Sequence, residues 1–160
     1  MNVSIYILLL LIVPVVPMII SDFCYRKIAL IWIIILAVCA VTAAIILYGL
    51  NISAMNFTLN LAILVYMFLG VLLYVYIKNR KISSIKHFAG IGDILFFIAL
   101  TPVFEFRNFI YFLIGSCLAA LAWWITIYVI WHKKRTVPLV GISGCILSLY
   151  LIINVLTWQQ

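Results

Sequence analysis

The run Lys86-His87-Phe88-Ala89-Gly90-Ile91-Gly92-Asp93-Ile94-Leu95-Phe96-Phe97 puts a carboxylate at the head of an apolar segment, behind two glycines. An ionisable group at membrane depth is costly and marks a functional site by default. The chain holds only three acidic residues, Asp22, Asp93 and Glu105. Asp22 is therefore the one other aspartate, and the candidate partner of Asp93.

Composition sets the medium around that run. The 160 residues are 69% hydrophobic and 8% charged, whereas soluble domains carry about 25% charged residues. The solvent for most of the chain is lipid. The expected fold is all-α: a polytopic membrane protein with a single helical bundle and no separate soluble domain. Helix is the form that satisfies backbone groups within each segment, and nothing in the sequence alternates as a barrel strand would.

A span needs roughly 20 apolar residues. Six candidates follow, at 3–20, 29–48, 58–77, 88–104, 108–131 and 137–158. The first has no lysine or arginine before its apolar run and no small-residue cleavage site after it, so it reads as a membrane helix and not as a secretory signal. Pro14 and Pro17 predict a kink in its second half.

The basic residues set the orientation. Arg26 and Lys27 fall in the first connection, Lys78, Arg80, Lys81 and Lys86 in the third, and Lys133, Lys134 and Arg135 in the fifth; the other side has only Arg107. The positive-inside rule puts the odd-numbered connections in the cytoplasm and both termini outside. The net charge of +7 is thus a topology signal, with lipid headgroups as secondary contacts and no nucleic-acid partner expected. Tyr48, Trp131 and Trp158, near span ends, fit an interfacial belt.

This layout places Asp22 just past the cytoplasmic end of the first span and Asp93 about one turn inside the fourth. The two lie at one face and at similar depth, although far apart in sequence. Two carboxylates that share a partly desolvated site cannot both ionise readily, so one proton is held between them. The ionised member takes a proton from water, which attacks a peptide carbonyl. The protonated member donates to the carbonyl oxygen. The pair titrates as a unit, so neither aspartate is assigned as the base. Gly90 and Gly92 would let another helix or an extended substrate approach Asp93, and would let the helix start unwind.

These residues resemble the type IV prepilin leader peptidases and the related archaeal preflagellin peptidases, which are Gly-x-Gly-Asp aspartyl proteases. Ser21-Asp22-Phe23-Cys24-Tyr25-Arg26-Lys27-Ile28 looks like the family's first aspartate segment. Gly90-Ile91-Gly92-Asp93 matches its second motif, and Val137-Pro138-Leu139 resembles a proline-containing segment at its last span. The resemblance implies Asp22 and Asp93 as catalytic residues. It implies Gly90, Gly92, Arg26 and Pro138 as groups that shape the site or bind substrate. The substrate would be a pilin-like membrane precursor cut at the cytoplasmic face of the inner (plasma) membrane. The chain departs from the pattern at Ala29, where proline is frequent, at Leu95, where lysine is frequent, and at Val140-Gly141, which lacks a second proline. It also lacks the cytoplasmic Cys-x-x-Cys region of larger members, so no N-methylation is expected. Presenilin-like proteases share Gly-x-Gly-Asp but have a tyrosine before the first aspartate, where Ser21 stands here.

Other residues carry less chemistry. Cys24, Cys39, Cys117 and Cys145 are scattered without a Cys-x-x-Cys pair, which argues against a disulfide framework or zinc site. His87 and His132 face no cysteine cluster, so no metal and no cofactor are expected. His87 could tune the site, though an exposed loop histidine is the simpler reading. Glu105 and Arg107 could pair across the outer connection. Gly115 with Ala119 and Gly144 with Ser148 have the small-xxx-small spacing that would let the last two spans pack closely. Two competing functions remain: a small proton-coupled transporter, since membrane aspartates also serve proton relays, and a catalytically inactive membrane scaffold.

Overall fold

Lipid offers a backbone no hydrogen-bond partners, so each segment must satisfy its own N–H and C=O groups. The computed structural model, which describes residues 3–26, 28–79, 90–131 and 137–157, meets this demand with helices alone among the described residues. They are α1 (Val3–Leu10), α2 (Ile12–Tyr25), α3 (Leu30–Tyr48), α4 (Leu50–Asn79), α5 (Ile91–Leu100), α6 (Phe106–Trp131) and α7 (Leu139–Thr157). Four stretches are long and apolar enough to cross a membrane: Ile7–Tyr25, Leu30–Tyr48, Leu50–Ile77 and Phe106–Val129. The apolar helices Ile91–Leu100 and Leu139–Asn154 are shorter. The expected six spans thus become four to six.

Polarity is distributed inside out. Large apolar side chains such as Val13, Ile31, Tyr66, Leu73, Leu118 and Ile153 are exposed, while Asp22, Ser53, Asn56, Asn60, Thr101, Ser116 and Ser143 are buried. A soluble protein does the reverse. This surface is matched to hydrocarbon.

Three boundaries differ from the sequence expectation. The first span does not end at residue 20 but continues as helix through Tyr25, so Asp22 lies inside it and not past its end. The break in that span falls at Leu11, whose N–H bonds Leu8 O in a tighter turn. Pro14 accounts for the position, because its ring clashes with the carbonyl four residues upstream, that of Leu10. Pro17 sits within α2 without breaking it.

The third span starts at Leu50 and not at residue 58, and α4 runs 30 residues, about 45 Å at the usual helical rise. The expected outer connection shrinks to Gly49. Its N–H bonds Ile45 O in α3 and its carbonyl accepts from Ser53 N in α4, so both helix ends are satisfied through a single residue.

The fourth span, expected over 88–104, is helical only from Ile91 to Leu100, about 15 Å. That is half a bilayer. Its expected start at Phe88 lies outside the described residues. So do the basic residues Lys27, Arg80, Lys81, Lys86, Lys133, Lys134 and Arg135, along with His87, His132 and Trp158.

The helices interlock around α2. It packs antiparallel along α7, and α3 packs against both α2 and α5. The buried face of α3 carries Ala40, Ala43 and Ala44 at helical spacing, small residues of the kind that let membrane helices approach closely. Phe96, Phe97, Phe104, Phe109 and Phe112 fill the core between α5 and α6.

Gly49 yields a test. Its φ of 78° and ψ of 165° lie in a region that is essentially glycine-only and costs about 1–3 kcal/mol for other residues. A Cβ there meets nothing within 4 Å, so the cost is purely of backbone. Gly49→Ala should lower unfolding free energy by about 1–3 kcal/mol, measured by denaturant titration in micelles. Wild-type stability would refute the strained turn.

Candidate functional site

The N-terminus of α7 organises the site. The first N–H groups of a helix have no intrahelical partner and carry the positive end of its dipole. Pro138 is buried just before α7, and its carbonyl accepts the first helical bond, from Ile142 N. A proline with its fixed φ suits a helix start and sacrifices no needed donor. The Leu139 N–H is taken by Val137 O. The next two, on Val140 and Gly141, face carboxylates.

Gly141 N–H donates to Asp22 Oδ2 at 2.7 Å, a charge-assisted geometry. The Val140 N–H is within reach of both Asp22 and Asp93. The two carboxyl groups act on each other electrostatically. The two aspartates of the chain therefore both lie beside one helix end, near enough for their charges to interact.

Each arrives by a different route. Val15, Ile19 and Asp22 lie on one face of α2, four and three residues apart. That face docks on α7 through glycines. A Cβ on Gly144 would sit 2.7 Å from Ile19 Cγ1 and 3.1 Å from Val15 Cγ1. A Cβ on Gly141 would sit 2.7 Å from Phe23 Cε2 and 3.4 Å from Asp22 Oδ2. The glycines bring the α2 backbone close enough for a short aspartate side chain to reach an amide. Asp22 is only 7% exposed as a result.

Asp93 is the third residue of α5 and reaches back to the Gly90 N–H, while Gly90 O accepts from Asp93 N and Ile94 N. The carboxylate contact is the N3 half of a capping box, the other half being absent because Gly90 has no side chain. A Cβ on Gly90 would lie 3.0 Å from Asp93 Oδ2, so this glycine makes room for the carboxylate itself. Gly90 takes an ordinary extended conformation. Gly92 makes room for Ile28, whose Cδ1 would lie 3.2 Å from a Cβ there. The segment after Asp22 thus touches the Gly-x-Gly-Asp segment directly. Asp93 is half-buried, and Gly90 and Ile91 beside it are exposed, giving the pair an open side.

Arg26 ends α2 in the left-handed conformation, φ 55° and ψ 29°, with its N–H on Asp22 O. A non-glycine residue there is uncommon, with a steric cost of about 1–2 kcal/mol. Its side chain is exposed, and its charge acts on Asp22. The turn it makes carries Ile28 over Gly92.

The departures from the family pattern have structural readings. Ala29 has φ −69° and ψ 125°, a backbone that proline would also adopt. Leu95 packs partly buried against the core. A proline at 140 or 141 would remove an amide that the carboxylates use.

Sequence reasoning missed Val140 and Gly141, because backbone donors leave no side-chain signature; a proline three residues before a glycine at an apolar boundary was the available hint. Glu105 and Arg107 form no ion pair among the described residues. Gly115 faces open space and Gly144 packs on α2, so the small-xxx-small spacing does not mark a contact between the last two long helices. No protein-family model, no curated protein and no solved structure matches the chain.

The α2–α7 contact can be tested without an activity assay. Alanine in place of helical glycine gains about 0.5–1 kcal/mol of propensity, whereas overpacking costs about 1–3 kcal/mol. Gly144→Ala meets the β-branched Ile19 and should be net destabilising. Gly115→Ala meets nothing and should be neutral or stabilising. Equal effects in denaturant unfolding would contradict the close approach.

Proposed function

We propose that the chain is a membrane-embedded aspartic endopeptidase that removes the leader peptide of type IV pilin-like precursors at the cytoplasmic face. The observation that carries this reading is the meeting of Asp22 and Asp93, the only aspartates, at the N-terminus of α7. The resemblance of the three segments to prepilin peptidases supplies the substrate class. The substrate would be a short basic leader followed by an apolar helix.

The chemistry follows from the pair. One aspartate is ionised and one protonated. A water between them loses a proton to the carboxylate as its oxygen bonds to the scissile carbonyl carbon. The protonated aspartate donates to the carbonyl oxygen, giving a gem-diol. Collapse of the gem-diol breaks the C–N bond: one diol hydroxyl gives its proton to the ionised aspartate as the carbonyl re-forms, the leaving nitrogen takes the proton of the other aspartate, and the pair ends with one proton as it began. The amides of Val140 and Gly141 hold the carboxylates in register, which is where positioning contributes to rate. The exposed Gly90–Ile91 edge is the side from which an extended peptide reaches Asp93.

Leader removal from a pilin-like precursor, followed with purified protein in liposomes, tests the reading. Asp22→Asn and Asp93→Asn should each abolish cleavage while the protein stays folded by circular dichroism. Full activity in either variant would reject the pair as catalytic. Substrate-dependent proton flux in the same liposomes, without cleavage, would favour the transporter reading instead. Neither activity, with an intact fold, would favour the scaffold.

A further inference from the structure

Asn60 is the most deeply buried polar side chain of α4, at 0% exposure. It sits eleven residues into the helix, far in sequence from either aspartate. Its Nδ2 donates to two carbonyls of another segment, Thr101 O at 2.8 Å and Phe104 O at 2.7 Å. Only an amide nitrogen can serve both, so the orientation of the side chain is fixed by its partners.

Those carbonyls belong to the turn that ends α5. A helix leaves its last carbonyls unpaired, and within a lipid-embedded bundle no solvent relieves them. Thr101 N and Val103 N close tight turns onto Ile98 O and Leu100 O, and Thr101 Oγ1 also bonds Ile98 O. Thr101 O and Phe104 O are then left to Asn60. Thr101 is fully buried and Phe104 nearly so.

Because α5 is only ten residues long, its two ends are mechanically close. The clamp at Thr101 lies about 12 Å along the axis from Asp93 at the usual helical rise. The head of α5 is held by the Asp93 contact with α7, and its tail by Asn60. The apolar packing of α5 along α3 is non-directional, so the polar contacts at its two ends set its height and rotation.

We propose that Asn60 is a positioning residue for Asp93: by fixing the tail of α5 it sets where the Asp93 carboxylate meets Asp22 and the α7 amides. The activity arm of this inference rests on the peptidase reading; the structural arm does not. Asn56, one turn earlier on α4, is also buried but its Nδ2 has no partner among the described residues, which makes it the matched control.

The experiment compares Asn60→Leu with Asn56→Leu in full-length protein in micelles. Hydrogen exchange of the α5 amides should rise in Asn60→Leu and stay near wild type in Asn56→Leu, with α3 unchanged in both. In the leader-removal assay Asn60→Leu should lower kcat by about 10- to 100-fold, the loss expected from ångström-scale misplacement, and leave KM within about twofold, since Asn60 does not meet substrate. Unchanged exchange in α5, unchanged kcat, a rise in KM alone, or equal effects in both variants would overturn the proposal. Should Asn60→Leu not accumulate, Asn60→Ser, which keeps one donor, should give the same pattern at smaller amplitude; wild-type values there would overturn it. If the wild-type chain cleaves nothing, the peptidase reading fails while the exchange comparison still decides whether Asn60 fixes α5.

Discussion

Two shortages meet at the start of α7. The Val140 and Gly141 amides have no intrahelical carbonyl to bond, and the Asp22 carboxylate is almost wholly removed from the surface. Either alone would be costly in a lipid-facing bundle: an unpaired polar group inside an apolar medium costs kcal/mol, and an unpaired charge far more. Joined, each removes the other's penalty. The rest of the bundle serves that contact. Gly141 and Gly144 remove the side chains that would hold α2 away from α7, and the αL turn at Arg26 sends Ile28 back over Gly92.

The same principle operates at the opposite end of α5. There the unpaired groups are carbonyls, and the complement is a side-chain amide from α4. A helix too short to cross the membrane is thereby capped at both ends by neighbours. Gly49 is a third instance, satisfying the end of α3 and the start of α4 through its own N–H and carbonyl. In a soluble protein, water would serve at all these places. Here the chain supplies the partners at these three places, whereas the buried Asn56 Nδ2, Asn60 Oδ1, Ser116 Oγ and Ser143 Oγ have none among the described residues.

This explains which features were legible in the sequence. Apolar runs read as helices because hydropathy reports the solvent, and lipid leaves one backbone solution. The rarity of acids singled out Asp22 and Asp93 before any coordinates. The extent of α4 was hidden because Asn51, Ser53 and Asn56 resemble a polar connection; Ser53 and Asn56 in fact share the buried face of the helix with Asn60. The truncation of α5 had a signal in Pro102, which has no N–H and disfavours helix in the residue before it; past the stop, Asn60 takes up the Thr101 and Phe104 carbonyls. The meeting point of the carboxylates could not be read directly, since backbone amides carry no letter in the sequence. Gly90 has a further role that no letter shows: a Cβ there would crowd the Asp93 carboxylate itself.

The two aspartates are held unequally, and that asymmetry bears on how a peptide could reach them. Asp22 belongs to α2, which is packed along its length against α7 and bonded to Gly141; it can move only if two helices part. Asp93 belongs to a ten-residue helix that packs on α3 and starts beside the exposed Gly90–Ile91 edge. The open side of the pair is therefore the Asp93 side, while Asp22 is enclosed between α2 and α7. The enclosed carboxylate is held by a backbone amide and the accessible one stands at the head of a short helix, so the two differ in partners and in exposure.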